Sequence, residues 1–122
     1  MPRFVILLHE TPAGYVRATH FDLMLQHAGS LRTWALDAMP AIGKTATAER
    51  LPDHRLAYLD FEGPIAGGRG TVRRVAAGEY ETAEERAGCL VVQVRGAKLQ
   101  GTLTLEEVAG SNQRWRVSLA AG

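Results

Sequence analysis

Thr19-His20-Phe21-Asp22-Leu23-Met24-Leu25-Gln26 alternates in character at nearly every step. Side chains of an extended chain point to opposite sides with a period of two. Phe21, Leu23 and Leu25 therefore share one face, and His20, Asp22, Met24 and Gln26 share the other. A helix would spread the same residues around its axis, so the stretch reads as a strand with an apolar face and a second face that carries polar chemistry.

Working toward the N-terminus, Thr11-Pro12-Ala13-Gly14 is turn-prone and follows a buried-strand candidate, Phe4 to His9. Toward the C-terminus, Ala28-Gly29-Ser30 reads as a hairpin turn into Leu31 to Leu36, with Trp34 inside the strand. Asp37 to Arg50 is less regular: Pro40 and Gly43 argue for a loop, and Thr45 to Arg50 for a short helix or an edge segment. Leu56 to Phe61, Thr71 to Val75, Cys89 to Arg95, Lys98 to Glu107 and Trp115 to Leu119 read as strands. Gly96-Ala97 has the Gly-first chemistry of a type II′ turn, and Thr82 to Arg86 reads as one helical turn. About eight strands in so short a chain predict a small all-β domain with little helix. Closure, or near closure, into a β-barrel removes the edges that an open sheet must protect. At 122 residues the chain is read as a single domain, 1–122.

Fourteen Lys and Arg stand against 13 Asp and Glu, which excludes the broad basic grip of a sequence-independent DNA coater; any nucleic-acid contact has to be local. Cys89 is the single cysteine, so no intramolecular disulfide and no cysteine-based zinc cluster can form. The apolar run at the N-terminus, Phe4 to Leu8, is too short for a signal peptide or a membrane span, and the expected location is the cytoplasm. Gly63-Pro64-Ile65-Ala66-Gly67-Gly68-Arg69-Gly70 is neither a P-loop nor a dinucleotide-binding turn, and reads as a connection flanking a site.

His20 and Asp22 share a face. If the first two strands are antiparallel neighbours, His9 at the end of one lies beside His20 at the start of the next. Two imidazoles and a carboxylate suit Mn²⁺, Fe²⁺ or Zn²⁺, and three protein ligands leave positions open for water and substrate. The competing reading is a solvated strand face with an ordinary His–Asp hydrogen bond.

The ordered set Arg3-Phe4-Val5-Ile6, His9, His20-Phe21-Asp22-Leu23-Met24-Leu25, Trp34-Ala35-Leu36, Asp53-His54, Tyr58-Leu59-Asp60-Phe61-Glu62-Gly63 and Gly70-Thr71-Val72 resembles the 3′-phosphoesterase domain family of bacterial DNA ligase D. The resemblance runs from Arg3 to about Trp115. It implies a compact β-barrel that trims 3′ ends of nucleic acid during non-homologous end joining, removing a 3′-ribonucleoside and the resulting 3′-phosphate with Mn²⁺. It also implies that His9, His20 and Asp22 hold the metal, that His54 contacts the phosphate, and that Tyr58 stands near the same site.

The chain departs from that pattern at several points. Met24 stands where the family carries an Arg two residues after the metal-binding Asp, and a family lysine has no counterpart near Ala38. The loop between His9 and His20 is longer, and the polar leader before the first strand is absent. Arg17, Arg50, Arg55 and Arg69 are the candidates to supply the missing charge, with Arg50, Arg55 and Arg69 joining His54 and Tyr58 as expected phosphate contacts. A ligase or polymerase partner would act in trans.

Three functions follow as expectations. The first is a Mn²⁺-dependent phosphoesterase acting on 3′ ends. The second is a relative that binds metal or DNA ends with weakened catalysis, for want of the Arg at Met24. The third is a non-haem iron oxygenase using His20, Asp22 and His54, in which His9 would have no role.

Overall fold

The structure, a computed structural model, describes residues 1–122. Nine strands form one sheet: β1 (Arg3–Glu10), β2 (His20–His27), β3 (Ser30–Leu36), β4 (Thr45–His54), β5 (Gly63–Pro64), β6 (Thr71–Arg86), β7 (Cys89–Gly96), β8 (Gln100–Glu107) and β9 (Arg114–Ala120). They pair antiparallel in the order β1-β2-β3-β4-β9-β8-β7-β6-β5, and β1 also pairs with β6. That last pairing closes eight strands into a ring that is not evenly barrel-shaped, with β5 attached outside it. No helix is long and apolar enough to cross a membrane.

The alternation of β2 sets the two faces. Phe4, Ile6, Leu23 and Leu25 join Trp34, Leu36, Val92, Leu103, Leu105 and Val117 in the larger apolar cluster, which fills the ring. The opposite face of β1 and β2 is buried as well, because the crossing segment between β4 and β6 folds over it. Val5, Leu7, Met24, Leu31, Leu59 and Val72 form this second cluster, with Tyr58 and Ile65 packed against it. Leu59 is 5% exposed, and its burial contributes on the order of 2 kcal/mol to holding that segment down. The polar residues of β2 thus lie under a cover, and the solvated-face reading does not hold.

Four local expectations are corrected. Thr45–His54 is a strand between β3 and β9, neither a short helix nor an edge segment: Ala46 and Ala48 are buried while Thr45 and Thr47 are exposed, an alternation carried by residues too small to look apolar. A register shift near Pro52, whose ring nitrogen cannot donate to a ladder, re-aims the end of this strand so that His54 faces Leu31. Leu56–Leu59 is a 3₁₀ helix rather than a strand. Thr82–Arg86 extends β6 against β7 through a bulge between Thr82 and Glu84, with no helical turn. Between β7 and β8 neither Gly96 nor Ala97 has positive φ, so the turn is not type II′.

Candidate metal centre

β1 and β2 pair with His9 opposite His20 and Leu7 opposite Asp22, which sets the three polar side chains on one covered patch of the outer face. His9, His20 and Asp22 are 8%, 6% and 4% exposed. One ligand atom from each lies within 4.8 Å of the others, and the two imidazole centroids are 4.9 Å apart.

Backbone carbonyls fix which ring nitrogens face inward. His20 Nδ1–H donates to the Ala18 carbonyl at 2.7 Å, and His9 Nε2–H donates to the Arg69 carbonyl at 2.7 Å. A carbonyl can only accept, so the remaining nitrogens, His20 Nε2 and His9 Nδ1, present lone pairs in the neutral rings. They face Asp22 Oδ1 at 3.0 Å and Asp22 Oδ2 at 3.6 Å. The closer pair does not have hydrogen-bond geometry, and His20 Nε2 and Asp22 Oδ1 are both buried without a partner. Converging acceptors with nothing to accept from are the electronic requirement of a cation, and the carbonyl-locked imidazoles fit a metal ion.

Burial opposes ionisation of Asp22, but His20 and His9 outweigh it and hold the carboxyl below its usual range. Asp22 in turn raises His9 above the ordinary imidazole value, against the opposing effect of burial and with further help from the Arg69 carbonyl.

Arg69 reaches this centre through its backbone because Gly70, at φ 92°, turns the chain directly against the Glu10 carbonyl, where a Cβ would collide. The sequence offers no sign of this contact or of the one to Ala18, since a backbone carbonyl leaves no residue-type signature.

A cleft of about 300 Å³ opens beside His9 and Asp22, lined among others by His54, Arg55, Tyr58, Arg69 and Met24. The His54 and Tyr58 rings meet edge to face at 5.7 Å, and His54 Nδ1–H donates to the Pro52 carbonyl at 2.9 Å, leaving Nε2 free to act. Tyr15, from the long His9–His20 loop, also lines the cleft and packs edge-on against His9 at 5.9 Å; no spacing or motif marks it out beforehand.

Two of the arginines read as candidates for the missing charge lie elsewhere. Arg50 stands opposite Trp34 across β3 and β4, with its guanidinium carbon 4.3 Å from the Trp34 ring centroid, on the inward face and outside the cleft. Arg17 pairs with Glu49 at 2.9 Å in a broad hollow on the other side of His20. The metal-competent set contains His9 and not His54, so the oxygenase triad of His20, Asp22 and His54 does not assemble.

A comparison with curated proteins returned no match. The family model of the DNA ligase D 3′-phosphoesterase domain matches residues 12–107. That span holds His20, Asp22, His54, Arg55, Tyr58 and Arg69; His9 precedes it and joins the site through the register of β1 on β2. The chain belongs to the DNA ligase D 3′-phosphoesterase domain family, which suggests a 3′-phosphoesterase role in DNA repair.

Proposed function

We propose that the chain is a metal-dependent phosphoesterase that removes a 3′-phosphate or 3′-ribonucleotide from nucleic-acid ends in the cytoplasm, with Mn²⁺ as its metal. The observation that carries this reading is the buried, unpartnered His20 Nε2–Asp22 Oδ1 pair beside a cleft that opens to His54 and two arginines. His9, His20 and Asp22 would hold the metal, which when bound supplies Lewis-acid polarisation of a phosphoryl oxygen. Arg55 and Arg69 would bind the phosphate oxygens, and Arg69 doubles as the backbone brace of His9. His54 Nε2 stands ready to orient the phosphate or give a proton to the leaving oxygen, while Tyr58 holds its ring in place. A ligase or polymerase that takes up the trimmed end is the partner this activity would serve.

A second reading, weakened turnover with intact metal binding, is favoured by Met24, which lines the cleft where the family carries an Arg. One experiment separates the two: hydrolysis of a primer–template bearing a 3′-phosphate or a single 3′-ribonucleotide, with Mn²⁺ added or chelated, for the parent chain and for His20→Ala. Mn²⁺-dependent loss of the 3′ group that disappears in the variant supports the enzyme. Activity retained in His20→Ala sinks the assignment, and Mn²⁺ binding without hydrolysis selects the weakened relative.

A further inference from the structure

Five buried side-chain nitrogen and oxygen atoms lack a hydrogen-bond partner, and they fall in two places. His20 Nε2 and Asp22 Oδ1, both acceptors, meet at the metal centre. The other three, Arg32 Nε, Trp34 Nε1 and Trp115 Nε1, are all donors, and their residues line one hollow of about 390 Å³ where the β6–β7 hairpin meets β3, β4 and β9. Indole and guanidinium groups can donate but not accept, so whatever satisfies them must bring lone pairs. Unpaired buried donors are costly enough that three in one place call for such a partner.

Three guanidinium groups, Arg32, Arg50 and Arg86, line the hollow with one carboxylate, Glu85; Arg50 and Arg86 also pair with Asp53 and Glu84, which stand outside the lining. Arg32 Nη1 donates to Glu85 at 2.9 Å, so an oxyanion already sits on this guanidinium, and a second anion there would have to displace the half-exposed Glu85 carboxylate. Arg50 is held over the Trp34 ring, and its bridge to Asp53, at 3.3 Å, leaves Nη1 uncommitted. The two indoles meet edge to face at 5.7 Å. A tetrahedral oxyanion, with acceptors in several directions, matches donors that come from three strands better than a planar carboxylate does.

We propose that this hollow binds a phosphate group, either free phosphate or a backbone phosphate of a nucleic-acid strand, through Arg32, Arg50 and the indole N–H groups of Trp34 and Trp115. The site is separate from the metal centre, because Trp34 faces the ring interior while His20 and Asp22 occupy the covered outer face. It stands or falls independently of the phosphoesterase reading.

Trp34 and Trp115 are the two tryptophans of the chain, so intrinsic fluorescence reports on this hollow and not on the metal cleft. The test titrates metal-free protein, in chelator, with inorganic phosphate at an ionic strength held constant with chloride. A saturable change in emission is expected with phosphate and none with chloride alone. Arg32→Gln and Arg50→Gln should each weaken binding about tenfold, the loss expected for one charge-assisted hydrogen bond. His20→Ala should bind phosphate as the parent does. Displacement of phosphate by a short single-stranded oligonucleotide assigns the site to a strand phosphate, and failure to displace it assigns the site to the free anion. No saturable change, or unaltered affinity in both Arg variants, overturns the proposal and leaves water as the missing acceptor. Should Arg32→Gln not melt cooperatively, Arg50→Gln, whose side chain is less buried, carries the test.

Discussion

His20 Nε2 and Asp22 Oδ1 stand 3.0 Å apart, buried, with no hydrogen bond between them. Two acceptors at that separation are unfavourable unless a proton or a cation lies between them, and the Ala18 carbonyl already takes the Nδ1 proton of His20. Divalent metal should therefore stabilise the folded chain, by about 3 kcal/mol at a hundredfold excess over Kd. The check is a thermal melt in Mn²⁺ against chelator. His20→Ala should lose most of the shift, while His54→Ala should keep it and lose phosphatase activity. A metal shift that survives in His20→Ala would place the cation elsewhere.

The dependence on pH should have opposite signs with and without metal. Asp22 raises the pKa of His9, so in metal-free protein their ion pair contributes stability that is fully present below the unfolded imidazole value, near 6.5, and is lost as pH rises through the raised folded value. Metal needs the neutral ring, so its stabilisation grows over the same interval. The difference in Tm between Mn²⁺ and chelator should widen from about pH 6 to about pH 8. A constant difference would mean that His9 is not a ligand.

The alternation of Thr19 to Gln26 made both the barrel face and the ligand pair legible, because a strand's period of two fixes which residues share a side. His9 followed from assuming that the first two strands are neighbours, and the register puts it directly opposite His20. Where sequence reading failed, the cause was local. Ala46 and Ala48 hid a strand because their inward side chains are small, and the Glu and Arg content of Thr82 to Arg86 suggested a helix that pairing with β7 overrides. Arg50 was expected at the phosphate, but cross-strand pairing with Trp34 turns it inward.

The β2–β3 hairpin stores strain that substitution can release. His27 pairs with Ser30 across Ala28-Gly29, and both turn residues have positive φ, 51° and 86°, as a type I′ turn requires. Ala28 is the single non-glycine residue of the chain in this region, where its Cβ crowds the following carbonyl. Ala28→Asn or Ala28→Gly should stabilise the fold by about 0.5–1 kcal/mol, read as a higher denaturant midpoint at unchanged slope. An unchanged or lower midpoint would show that the crowding costs less than the geometry indicates.

Met24 sets stability against catalysis at one position. It is 1% exposed within the outer apolar cluster and also lines the cleft, two residues along the same face from Asp22. Met24→Arg should lower Tm, because a guanidinium replaces a packed thioether and has to reach the cleft to be hydrated or paired; a loss of about 1–3 kcal/mol is expected. If the missing Arg limits turnover, the same substitution should raise the rate by roughly two decades, the usual worth of one transition-state clamp on a developing charge. Both effects are measured on one preparation, with a melt and a 3′-phosphate release assay in Mn²⁺. Lower stability with a higher rate would mean that Met24 holds the cover down at the cost of turnover. Lower stability with no gain in rate would mean that Arg55 and Arg69, which already line the cleft, suffice for the phosphate.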